Sequence, residues 1–118
     1  MTETTPLQRN DERRRLAAQF REVLFTAAEH RRERDDLVDT PDGPEMGWVI
    51  YERNQMHAAT DAERAARGLP PVPLPDLLRV ERSAYGHSDY AAQYAWGCAL
   101  LVMDPAPHPA ATAADPKE

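Results

Sequence analysis

Apolar positions fall into three helical patterns separated by two stretches rich in proline and glycine. In the first pattern Leu16, Phe20, Val23, Leu24 and Ala27 recur at helical spacing. At about 100° per residue they form one apolar stripe. Asn10 or Asp11 can cap its start, and Asp11 and Glu12 suit the positive end of the dipole. "RRERDD" ends it, which predicts a helix over about residues 11–36. Arg14, Arg21 and Arg32 share one flank, Glu22, Glu29 and Glu33 share the next, and Phe25 lies off the stripe.

"DLVDTPDGPEMG" is turn chemistry, with Asp42 or Gly43 able to cap a second helix and Pro44 near its first position. That helix spans about 44–67, and Gly68 supplies its stop. It is apolar on two sides: Met46, Val49, Ile50 and Met56 on one, Trp48, Tyr51, Ala59, Ala62 and Ala66 on nearly the opposite one. Such a helix must be covered twice, by two neighbours or by one neighbour and another molecule. "TDAE" at 60–63 matches a capping box and leaves a break near Ala59 open.

"GLPPVPLP" has four prolines in eight residues and cannot be helical. It reads as a stiff corner, or as a ligand for a proline-recognition domain. Beyond it Leu77, Val80, Ala84, His87, Ala91, Tyr94, Cys98 and Leu101 make an alternating three–four stripe, which predicts one helix over about 75–103 running through Gly86. The alternative is a break at Gly86 with Ser88 capping a further helix.

The expected fold is therefore all-α: a small bundle of three main helices within a single domain, 10–104. Residues 1–9 and the Pro/Ala-rich 105–118 read as disordered tails. The 118 residues suffice for one modest core. No apolar run approaches membrane-spanning length and no signal peptide is evident, so a cytoplasmic protein is expected. One cysteine forms no internal disulfide. The net charge of −6 is uneven: residues 1–40 carry eight arginines against nine acids, whereas residues 41–118 are clearly acidic. That disfavours generic nucleic-acid binding through the second part.

The candidate chemistry centres on "GHSDY". On a helix His87, Ser88 and Asp89 would diverge and form no triad among themselves. His87 faces the stripe and His57 faces the Met46/Ile50 side of the second helix. In an antiparallel hairpin about the proline corner the two histidines can meet in the core; the simple reading is a buried histidine hydrogen-bonded to a neighbour, the sharper one a metal or pH-sensitive contact. Cys98 reads as a small core residue. Tyr90 points outward beside Gly86 and Gly97, which would admit a close neighbour. No catalytic, cofactor or metal site is assigned.

Residues 67–102, "RGLPPVPLPDLLRVERSAYGHSDYAAQYAWGCALLV", resemble a segment of small uncharacterised proteins of actinobacteria and their phages: a proline corner, V-E-R, A-x-G-H-S-D-Y, then an apolar helix. The resemblance implies a small accessory protein of phage or mobile-element origin and carries over no functional residues. The expected role is non-enzymatic association with a protein partner or a second copy, through Trp48, Tyr51, Phe25 and Tyr90. The alternatives are a DNA-binding regulator with Arg14, Arg21 and Arg32 on phosphates, and an enzyme using His57 or His87.

Overall fold

The computed structural model describes residues 6–103, which are mostly helical. Helix α1 spans Pro6–Ala28, α2 Gly47–Ala66, α3 Leu74–Ala84 and α4 Tyr90–Met103. A 3-10 turn at Arg32–Arg34 leads into two short strands, β1 (Leu37–Val38) and β2 (Glu45–Met46), paired antiparallel with Leu37 opposite Met46. The all-α class holds, but the described residues contain four main helices, not three. None is long and apolar enough to cross a membrane.

The stripe of α1 is buried as the spacing predicts, with Leu16, Phe20, Leu24 and Ala27 all inside the core. Its ends differ from those expected. The helix starts at Pro6, so residues 6–9 belong to it, and Asn10 and Asp11 lie inside rather than capping it. It stops at Ala28, where the N–H groups of Glu29, His30 and Arg31 each bond a carbonyl three residues back. That tightening is the usual end of an α-helix. The rest of the predicted tails, 1–5 and 105–118, lies outside the described residues.

Helix α2 begins three residues later than expected, behind Met46. Asp42 and Gly43 cap nothing; they sit in the hairpin turn, where Thr40 and Gly43 exchange backbone hydrogen bonds of 3.2 and 2.9 Å. Gly43 has φ +110° there, a conformation that favours glycine. No break occurs at Ala59: the Thr60 hydroxyl donates to the Met56 carbonyl at 2.7 Å within the helix. Gly68 ends α2 as predicted, with φ +74°. Its N–H reaches Ala65 O and that of Leu69 reaches Arg64 O, the two bonds of a Schellman ending.

The single helix predicted over 75–103 is two helices. The N–H groups of Gly86 and His87 turn to carbonyls three residues back. Asp89, not Ser88, caps α4: its carboxylate accepts the Ala92 N–H at 3.1 Å, satisfying an amide left open at a helix start. His87 lies in this break and is exposed, whereas Leu77, Ala84, Tyr94 and Cys98 are buried as the stripe predicts. The three–four spacing survived the break because each half presents its own apolar side to the same core.

The cross-helix contacts fix the topology. Glu12–Arg67, Gln19–Glu63 and Arg31–Glu52 run in opposite chain order, so α1 and α2 are antiparallel. Arg53–Glu81 and His57–Val72 make α2 and α3 an antiparallel pair about the proline corner. Tyr90–Glu52 and Arg64–Leu101 run in the same order, so α4 lies parallel to α2. Helix α1 packs most extensively against α4. Helices α3 and α4 meet at Gly97, where an added Cβ would stand 2.5 Å from Val80 Cγ1. The close approach read at Gly97 from the sequence is thus filled by the chain's own Val80.

The proline corner is clamped from α2. Val72 is the only residue between Pro70 and Pro73 with a backbone N–H, and Asp61 accepts it at 2.7 Å. His57 Nε2 donates to the Val72 carbonyl at 2.8 Å. Arg64, itself 6% exposed, donates from Nε to Pro70 O at 2.7 Å and from Nη1 to Leu101 O at 3.0 Å. One side chain therefore ties α2, the corner and the end of α4. Val72 is buried in the core and is not available to a proline-recognition partner.

Candidate functional site

Residues four apart on an α-helix lie on one side. On α2 the buried set of this kind is Glu52, Met56, Thr60 and Arg64, three of them polar. A buried polar group is costly unless it is hydrogen-bonded, and each of these three has partners from other elements or from the helix itself.

Glu81 of α3 is 2% exposed and collects four donors. Arg53 gives it Nε at 2.7 Å and Nη2 at 2.9 Å, the Tyr85 hydroxyl stands at 2.7 Å and the Tyr94 hydroxyl at 3.3 Å. Arg53 continues to Glu45 of β2 with two further bonds of 2.8 and 2.9 Å. Glu52, 1% exposed, accepts from Arg31 Nε at 2.7 Å and from the Tyr90 hydroxyl at 3.3 Å. The rings connect the two halves: Tyr85 stacks on Tyr90 at 5.2 Å, and Tyr90 meets Tyr94 edge-on at 5.6 Å. The cluster thus joins α2, α3, α4, β2 and the segment after α1.

The electrostatics make this cluster a lock rather than a reactive centre. Hydrogen bonds to Glu81 and then Glu45 hold the Arg53 proton more firmly than usual. The bond from Arg53 in turn holds the Glu45 carboxyl below its ordinary value. Burial first, then the neighbouring carboxylates, pushes the phenols of Tyr85, Tyr90 and Tyr94 up. They remain hydrogen-bond donors, not nucleophiles. Cys98, fully buried beside them, has its thiol pushed up to about 12 by burial. The thiolate is the reactive form. In folded protein at pH 8 Cys98 is therefore expected to ignore iodoacetamide and to be labelled only at the rate of unfolding; rapid labelling under native conditions would contradict its burial.

A second feature opens outward. Helices α1 and α4 leave a groove of about 350 Å³ between them, floored by Ala17, Ala18 and Ala92 and bounded by Arg14, Arg21, Gln93 and Trp96. Arg13 lies over the Trp96 ring at 3.8 Å and donates to the Trp96 carbonyl from Nε and Nη2 at 3.4 and 3.3 Å. Arg21 sits against Phe25, 5.5 Å from its ring centre, and its Nε is buried with no hydrogen-bond partner.

The residues singled out from sequence separate into three places. Arg14 and Arg21 line the groove, and Phe25 lies against Arg21 outside it; Arg32 belongs to the 3-10 turn and does not line it. Trp48 and Tyr51 are half-buried, and their cover comes from within the chain: Arg31 lies over Trp48 at 4.3 Å, Arg34 over Tyr51 at 4.1 Å, and His30 meets Tyr51 edge-on. Tyr90, expected to point outward, turns its hydroxyl to Glu52. His57 and His87 do not meet: one holds the proline corner and the other is exposed. Glu52, Arg53, Glu81 and Arg64 were missed because only apolar residues were counted toward buried faces. The four-residue spacing of Glu52, Met56, Thr60 and Arg64 was the available signal.

Comparison with known proteins adds no relative: no family model, curated protein or solved structure matches the chain.

Proposed function

We propose that this is a small non-enzymatic accessory protein that acts by binding another protein through the α1/α4 groove. The observation that carries the proposal is the groove itself, open on the surface between α1 and α4 and bordered by Arg14, Arg21 and Trp96. Phe25, against which Arg21 sits, is 47% exposed. Aromatic and arginine side chains together are the usual anchors of protein interfaces. The catalytic alternative finds less support, since Tyr85, Tyr90, Tyr94 and Cys98 have their protons held and His57 holds the proline corner.

Photo-crosslinking in native host cells tests the proposal. A benzophenone side chain at Ala18, an exposed groove residue, is expected to give an adduct of discrete mass that disappears with Arg21→Glu. The same group at Gln55, exposed on α2 and outside the groove, serves as the control. No adduct at Ala18, or an equal one at Gln55, would contradict the assignment.

A further inference from the structure

We infer that the partner is a second copy of this chain, docked antiparallel along the outer face of α1; this rests on the association proposed above and names its partner. Leu7, Asp11, Arg14, Ala18, Arg21 and Phe25 follow one another on α1 at alternating spacings of four and three residues. At about 100° per residue all six stay within about 80° of one another, on the side turned away from the buried Leu16, Phe20 and Leu24. This is the spacing of a seam along which one helix packs lengthwise on another. From Leu7 to Phe25 the seam runs about 27 Å at 1.5 Å per residue. Arg14, Ala18 and Arg21 also border the groove, so a helix laid along the seam covers it.

The order of residues along the seam selects the occupant. A two-fold axis at the level of residue 16 sets Leu7 opposite the partner's Phe25, Asp11 opposite the partner's Arg21 and Arg14 opposite the partner's Ala18. Symmetry makes each pairing occur twice, and each is complementary. Leu7 and Phe25, 70% and 47% exposed in the single chain, cover each other. Asp11 and Arg21 are opposite charges. The long side chain of Arg14 lies over a residue that ends at Cβ. A parallel pair in register would instead set Asp11, Arg14 and Arg21 each against its own like charge, which is costly. The single chain holds these groups loosely. Asp11 meets Arg14 at 3.3 Å with both side chains more than 60% exposed, a pair worth little. Arg21 pairs with no carboxylate among the described residues. The antiparallel register keeps Arg14 turned toward Asp11 and adds the partner's Arg21 on the other side of that carboxylate.

Sedimentation equilibrium of the full chain tests the pairing. The mass is expected to rise with concentration from 13.3 kDa to twice that value and no further, since a two-fold interface closes on itself. The Ala18 adduct is likewise expected at twice the chain mass. Asp11→Arg and Arg21→Glu each create two like-charge contacts per dimer and should each weaken self-association about tenfold or more. Mixed in equal amounts, the two variants should associate with each other, because each carries the charge that the other lacks at the facing position. That recovery also shows that both variants are folded. A chain that stays monomeric at every concentration, a dimer that Asp11→Arg leaves intact, or variants that fail to recombine would overturn the inference. If the chain is monomeric while the Ala18 adduct carries a different protein and still depends on Arg21, association stands and only the self-pairing falls.

Discussion

Replacing Glu81 with Ala is expected to cost about 3–5 kcal/mol of folding stability, the range for removing one partner of a buried ion pair. The cost comes from what remains. The Arg53 side chain is only 14% exposed and would keep its bonds to Glu45 alone, while the hydroxyls of Tyr85 and Tyr94 would lose the acceptor they share. Urea unfolding measures the loss. Combining Glu81→Leu with Arg53→Met should recover much of it, because a matched apolar pair leaves no uncompensated charge. A loss below about 1 kcal/mol for Glu81→Ala would mean that the pair is not buried as described.

Arg64→Met should be the next most damaging change, at about 3 kcal/mol. It preserves most of the volume but removes charged donors to Pro70 O and Leu101 O, each worth about 1.5–3 kcal/mol. Leu101 is in the last turn of α4, where carbonyls have no partner inside the helix, and Pro70 belongs to the corner. Arg64→Lys should rescue little, since the two bonds leave one planar fork in different directions. Hydrogen exchange at Val72 N–H, held by Asp61, should quicken in Arg64→Met, because the corner loses one of its ties to α2. Unchanged exchange with unchanged stability would count against that role.

These two side chains show where sequence reading stopped. The α1 stripe was legible because its buried residues are apolar and evenly spaced. Gly68 was legible because a helix followed by glycine and prolines has few other endings. The inner side of α2 was not, because Glu52, Thr60 and Arg64 look like surface residues until their partners on other elements are known. His87 misled for the opposite reason: it occupies an apolar register, yet the chain leaves the helix there, and the cap that decides this is the single carboxylate of Asp89. Trp48 and Tyr51 suggested a missing molecule because the segment that covers them, His30 to Arg34, is charged and carries no apolar signal. At the candidate site Arg14, Arg21 and Phe25 were each visible as surface residues. The meeting of Arg14 and Arg21 with Ala92 and Trp96 depends on how α1 crosses α4, which no local pattern encodes.

The scaffold and the working surface are thus assigned to different residues, and Arg21→Glu separates them. Its unfolding midpoint and its Ala18 crosslink should be measured on the same variant. Arg21 makes no contact within the buried carboxylate cluster, so the fold should persist, with a change in midpoint small beside that of Glu81→Ala, while the adduct is lost. A persisting adduct, or loss of the adduct only together with loss of the fold, would contradict the placement of function in the groove.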